Sequence, residues 1–108
     1  MMPDNKPRLF TPKNTRMIVE MCVCLLPPSV ALKEIYRRLK MGDVWYRIYR
    51  TISKNRYEYT AQIVIQRNDG RVAKHNFLNG PSESVRAAKD ASAQEYFKIF
   101  GVCLWLSW

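Results

Sequence analysis

The clearest pattern in the chain is an alternation of side-chain types between Tyr57 and Gln66. Tyr57, Tyr59, Ala61, Ile63 and Ile65 occupy every second position. Four of the five alternate positions are polar: Glu58, Thr60, Gln62 and Gln66. A period of two predicts a β-strand with one packed face and one solvated face.

Two further strands are predicted around this one. The stretch from Val44 to Ile52 is rich in aromatic and β-branched residues, although both of its faces offer apolar groups. A polar, basic turn of four residues separates it from the alternating strand: Ser53, Lys54, Asn55 and Arg56. After that strand, Asp69 and Gly70 give a strong hairpin signal, so we expect a return strand from Arg71 to Leu78.

Helical periodicity appears on both sides of the strands. Pro28 opens a helix that ends near Met41, Gly42 and Asp43. Its apolar positions are Val30, Leu32, Ile35, Tyr36 and Leu39. A second helix is predicted from Ser82 to Phe100, with Pro81 suited to its first turn. One stripe of that helix comprises Ala88, Ser92, Ala93, Tyr96, Phe97 and Phe100.

The two ends of the chain are extensions of this pattern. Residues 14–27 form either a short helix, with one face made of Met17, Met21, Cys24 and Leu25, or a strand. Residues 1–13 are a loose basic arm, and residues 101–108 are an apolar tail. The fold class is therefore α+β: a two-layer α-β-β-β-α domain over 28–100, with a three-stranded antiparallel sheet, two helices on one face and short extensions.

The charge balance narrows the choice of partner. Eighteen Lys and Arg residues against nine Asp and Glu residues give a net charge of +9. Such an excess suits a polyanion, nucleic acid first and an acidic membrane surface second. Arg86 and Lys89 stand at the positive end of the last helix, where an anion would be favoured. Alternatively, they are two solvated charges that nearby carboxylates partly offset: Glu83, Asp90 and Glu95.

Little in the sequence indicates an enzyme, a metal or a cofactor. Cys22, Cys24 and Cys103 form neither a disulfide framework nor a zinc pattern, and we expect thiols in a reducing compartment, cytoplasmic or nuclear. His75 lacks the neighbours of a catalytic residue. No apolar run is long enough for a membrane span, and no signal peptide is visible.

Several spacings resemble the double-stranded RNA-binding domain. Its first helix commonly begins with Pro, followed by Leu four and Glu six positions later, as Pro28, Leu32 and Glu34 do here. Its last helix opens with Lys-Lys-x-Ala-Lys. The corresponding residues here are Val85, Arg86, Ala87, Ala88 and Lys89.

The resemblance implies sequence-tolerant binding of double-stranded RNA, serving RNA processing or silencing. Such domains span about 16 base pairs, touching two minor grooves and the major-groove phosphates between them. Glu34 matches the residue that contacts ribose, and the neighbouring Lys33 and Arg37 are expected to reach backbone phosphates. Arg86 and Lys89 match two of three phosphate-clamping cations. The turn that matches the minor-groove loop comprises Ser53, Lys54, Asn55 and Arg56.

The chain also departs from the family's pattern. Val85 replaces the first clamp cation, Ile52 to Asn55 replace a Gly-Pro-x-His loop, and Tyr96 stands where alanine is usual. The alternative hypothesis is a protein-interaction module of the same fold that forms homodimers or heterodimers. Its interface would include Tyr96, Cys103, Leu104, Trp105, Leu106 and Trp108. Equally, Tyr96 repacks the core, and both chain ends fold back onto the domain.

Overall fold

A computed structural model describes the backbone of residues 12–76 and 80–106 and the side chains of residues 14–76 and 80–100. The elements run in the order α-α-β-β-β-α. They are α1 (Pro12–Leu25), α2 (Pro28–Arg38), β1 (Asp43–Ser53), β2 (Arg56–Gln66), β3 (Val72–Asn76) and α3 (Val85–Leu106). The α+β class and the three-stranded antiparallel sheet are confirmed, with strand order β1-β2-β3.

The main core lies between the sheet and two helices. Ile63 and Ile65 of β2 pack with Leu32 of α2 and Ala93 of α3. The register pairs Val44 with Ile65 and Tyr46 with Ile63, and paired residues point to the same side. This settles which face of β1 is buried: the one that carries Val44.

The solvated face predicted for β2 is only partly solvated. Gln62 and Val64 belong to the face opposite Ile63, yet both are buried. The reason is that β2 is the central strand, so side chains from both neighbouring strands flank it: Trp45 and Lys74 beside Val64, Arg47 and Asn76 beside Gln62. Strict alternation of burial holds best where a strand has fewer neighbours.

The N-terminal extension is a helix that folds back onto the domain. Val19 and Cys22 of α1 are buried against Ala31, Ile35 and Leu39 of α2. The predicted face was wrong, because its members are exposed: Met17, Met21, Cys24 and Leu25. A second stripe of α1, which begins at Thr15 and continues through Val19 and Cys22, is the buried one.

The ends of the other helices also differ from prediction. α2 ends in a Schellman motif, in which Met41 N–H donates to Tyr36 O and Lys40 N–H to Arg37 O. Lys40 has φ 53°, so it takes the left-handed position for which glycine is usual. Gly42 serves instead at the entry to β1.

α3 begins later and ends later than the sequence indicated. Ser84 Oγ accepts a hydrogen bond of 3.1 Å from Ala87 N–H, which makes Ser84 the N-cap and leaves Pro81 outside the helix. The helix does not stop at Phe100 but continues through Gly101 to Leu106. Its predicted apolar stripe is confirmed, since Ala88, Ser92, Ala93 and Tyr96 are buried.

Candidate nucleic-acid interface

The β1–β2 turn is tighter than a loop of four residues. Ser53 pairs with Arg56, so only Lys54 and Asn55 connect the strands. Both have positive φ, 51° and 64°, as a two-residue hairpin turn of type I′ requires. Ser53 and Arg56 therefore belong to the strands, and Lys54 stands at the tip of the hairpin, exposed.

The start of α3 is held beside this hairpin. Tyr59 of β2 and Ser82 exchange two backbone hydrogen bonds, each 2.8 Å long. Arg56 also lies 3.6 Å from the Glu83 carboxylate. Residues 82–84 thus reach α3 along the hairpin, and Arg86 follows one position into the helix.

The same helix start is fixed to α2 on its other side. Asp90 Oδ1 accepts hydrogen bonds from Ser29 N–H at 3.0 Å and from Ser29 Oγ at 2.6 Å. Because Ser29 is in the first turn of α2, the carboxylate also meets the positive end of that helix. Lys89 Nζ lies 6.0 Å from the centroid of the Tyr46 ring, and Tyr46 Oη donates to Ser29 O. Burial raises the pKa of Tyr46, with the Asp90 charge adding to the effect.

The carboxylates near the clamp cations are engaged elsewhere. Glu83 pairs with Arg56, Asp90 accepts from Ser29, and Glu95 pairs with Lys98 at 3.9 Å. No ion pair between Arg86 or Lys89 and a described carboxylate is present. Direct ion pairing with these acids is therefore absent among the described contacts, and the alternative of two solvated charges partly offset by nearby carboxylates stays a prediction.

The α2 residues line a cleft against the start of β1. The cleft has a volume of about 620 Å³, and its helical wall carries Lys33, Glu34 and Arg37 opposite Asp43 and Trp45. Glu34 forms ion pairs with Arg37 and, at 3.6 Å, with Arg38. The glutamate expected to contact ribose is therefore already bonded to its neighbours, whereas Lys33 is exposed.

The predicted interface residues have different outcomes. Tyr96 is only 5% exposed, and its hydroxyl lies 2.6 Å from that of Tyr36, so in this chain it repacks the core rather than facing a neighbour. The backbone of Cys103, Leu104, Trp105 and Leu106 lies in α3, but their side chains lie outside the described part, as does Trp108.

Sequence reasoning missed one surface. The sheet face turned away from α2 and α3 carries exposed Trp45 and Tyr49 on β1, with Arg47 between them. Their i, i+2, i+4 spacing is present in the sequence. Because both faces of β1 offer apolar groups, the sequence did not show which face is exposed.

Comparison with known proteins found no match: no family model, no curated protein and no solved structure is significantly similar to the chain. No helix among the described residues has the length and apolar character needed to cross a bilayer. Nor do any three described His, Cys, Asp or Glu side chains come together as a metal site would require.

Proposed function

We propose that this protein binds double-stranded RNA through three neighbouring groups, with little dependence on base sequence. The groups are the α2 residues Lys33, Glu34 and Arg37, the start of α3 with Arg86 and Lys89, and the β1–β2 turn with Lys54 at its tip. The proposal includes a role in RNA processing or silencing in the cytoplasm or nucleus.

The observation that carries the proposal is the double attachment of the α3 start. Tyr59 ties it to the hairpin and Ser29 ties it to α2, so the middle group has a fixed place between the outer two. The outer groups lie towards opposite ends of β1, whose 11 residues span roughly 35 Å. An elongated row of cations suits the backbone of a duplex better than it suits a compact anion.

Four cations of this row are suited to phosphate contact. Lys33, Lys54, Arg86 and Lys89 form no ion pair with a described carboxylate, whereas Arg37 and Arg56 do. Glu34 would exchange an Arg37 contact for a ribose hydroxyl when RNA binds. Val85 contributes no charge, so affinity would rest on fewer phosphate contacts.

The first test compares a 20-base-pair RNA duplex with the DNA duplex of matching sequence at two salt concentrations. We expect tighter binding to RNA. In R86A/K89A, loss of two phosphate contacts should lower the slope of log K against log salt by about 1.8. Equal, weak binding to both duplexes would refute recognition of RNA geometry.

R71A/K98A is the control for the loss of positive charge alone. This variant removes two exposed cations that lie far from the α3 start: Arg71 beside the β2–β3 turn, and Lys98 nine residues beyond Lys89, about 13 Å along the helix. We expect its RNA affinity to fall much less. A similar fall in both variants would indicate general charge attraction.

The turn can be tested without unfolding it. Lys54→Asn removes the charge but retains a residue that tolerates positive φ. Reduced duplex affinity with an unchanged unfolding midpoint would support a contact at Lys54.

A protein-interaction function remains the rival proposal, and α1 favours it. Met17, Met21 and Leu25 are spaced at four-residue intervals and exposed, Leu25 to 74%. Exposed apolar side chains in one row are typical of an interface. If α1 forms a homodimer or heterodimer contact, M21E/L25E should lower the mass measured by light scattering, either for the chain by itself or for its mixture with a heterodimer partner. RNA binding should be unchanged.

A further inference from the structure

The sheet face away from the helices carries aromatic and basic side chains in neighbouring rows. The register places three rows at its centre: Trp45, Val64 and Lys74; Arg47, Gln62 and Asn76; Tyr49 and Thr60. Trp45 is 40% exposed and Tyr49 45%. We call these residues the open-face platform.

The charges on this face favour an anionic ligand. Arg47 and Lys74 lie in the central rows and are exposed. The acids on the same face, Asp43 and Glu58, belong to the outer rows, opposite Gln66 and Thr51. The middle of the platform is therefore cationic.

Gln62 gives an independent indication of a ligand. It lies at the centre of the platform and is more than nine-tenths buried. Its Nε2 donates to Asn76 Oδ1 at 2.9 Å, but its Oε1 has no described hydrogen-bond donor. A buried carbonyl oxygen without a donor is unfavourable. A donor group on a ligand would relieve it if the neighbouring Arg47 or Asn76 side chain moved aside.

The combination of rings and cations identifies the ligand class. Alternate residues of a strand lie about 6.7 Å apart, so Trp45 and Tyr49 stand about 13 Å apart with Arg47 between them. Unpaired bases stack on aromatic side chains, and their phosphates pair with Arg and Lys. An acidic peptide would use the cations but would have less need of the two rings.

We propose that the open-face platform binds single-stranded RNA, with bases stacked on Trp45 and Tyr49 and phosphates held by Arg47 and Lys74. This site goes beyond the duplex function, which uses α2, α3 and the β1–β2 turn. It would bind single-stranded segments with little sequence preference.

The test measures fluorescence anisotropy of a labelled 12-nucleotide oligo(U) RNA with the full chain. W45L/Y49L should weaken binding by about 25-fold, since each stacked base contributes about fivefold or more. The matched control is Tyr57→Leu, which removes an exposed ring from the other face of the same sheet, where Arg50 lies 4.5 Å from it. That control should bind oligo(U) as the unchanged chain does.

A second pair of variants keeps the proposal testable if W45L/Y49L unfolds. W45F/Y49F retains both rings and should retain affinity. R47Q/K74Q should lower the salt slope for oligo(U) by about 1.4, the value for two single-strand phosphates. R86A/K89A should bind the RNA duplex more weakly while it keeps oligo(U) binding, which separates this site from the duplex site.

Two results would overturn the proposal. One is oligo(U) binding that neither R47Q/K74Q nor a folded W45L/Y49L weakens. The other is a change in oligomeric mass on W45L/Y49L substitution without a change in oligo(U) binding, which would make the face a protein interface.

Discussion

The hydroxyl oxygens of Tyr36 and Tyr96 lie 2.6 Å apart within the core, joining α2 to α3. Burial raises the pKa of Tyr36, whereas the hydrogen bond to Tyr96 and the charge of Arg67 act in the opposite direction. The pair explains how a tyrosine fits where the resemblance would place alanine: its polar end has a partner on the facing helix. The ring packs beside Phe100 and His75.

Removing one hydroxyl of this pair should lower the free energy of unfolding by more than half of the loss caused by removing both. Tyr96→Phe leaves the Tyr36 hydroxyl buried without this partner, and we expect the free energy of unfolding to fall by about 1–2 kcal/mol. The double variant Y36F/Y96F should be less destabilised than the two single variants summed. Chemical denaturation of all four proteins gives the coupling energy. Strict additivity would contradict a direct hydroxyl contact.

Gly42 is predicted to resist substitution. It has φ 127°, and a Cβ there would lie 2.2 Å from the backbone oxygen of Gln66, which has little freedom to move. We expect Gly42→Ala to lower the free energy of unfolding by about 3 kcal/mol or more, from strain and clash together. Thermal denaturation measures the effect.

Gly70→Ala is the matched control for backbone strain alone. Gly70 also has positive φ, 89°, but no described atom lies within 4 Å of its added Cβ. Its cost should be about 1–2 kcal/mol. Equal effects at the two glycines would show that contact with Gln66 is unimportant.

His75 should make stability depend on pH. Burial lowers its pKa from the ordinary value of 6.5, and the positive charge of Arg67 lowers it further. The folded state therefore prefers neutral histidine, and the unfolded chain takes up the proton first as pH falls. As the pH falls from about 6.5 through the lower pKa of folded His75, the free energy of unfolding should decrease. Below that pKa, His75 should cause no further decrease.

The pH effect is checked by urea denaturation at pH 7.5 and 5.5, above the range in which most carboxylates titrate. His75→Gln should make the difference between the two midpoints smaller. If the variant retains the whole difference, another group is responsible.

Asp90 is expected to be structural rather than an RNA contact. Asp90→Ala removes two hydrogen bonds to Ser29 and a favourable charge at the start of α2, and should lower the free energy of unfolding by about 2–3 kcal/mol. Glu95→Ala also removes a carboxylate from α3, but its only described ion pair is with exposed Lys98. That control should cost a few tenths of a kcal/mol. Similar losses in both variants would contradict the anchoring role.

The sequence by itself determined the fold class and the type of the five elements from Pro28 onward, because local signals were strong there. Alternation between Tyr57 and Gln66, the turn residues Asp69 and Gly70 and the helical stripe of α3 all predicted what the structure has. Helix periods and strand periods follow from backbone geometry, so they can be recognised in the sequence without knowing what each element packs against.

The tertiary structure decided what each side chain faces. Two stripes of α1 were apolar, and packing against α2 selected the one with Val19 and Cys22. Flanking strands buried Gln62, which the alternation in the sequence had assigned to solvent. The partner of Tyr96 is 60 residues away in the chain. Such contacts depend on which surfaces meet, and that is a property of the whole packed chain rather than of any local pattern.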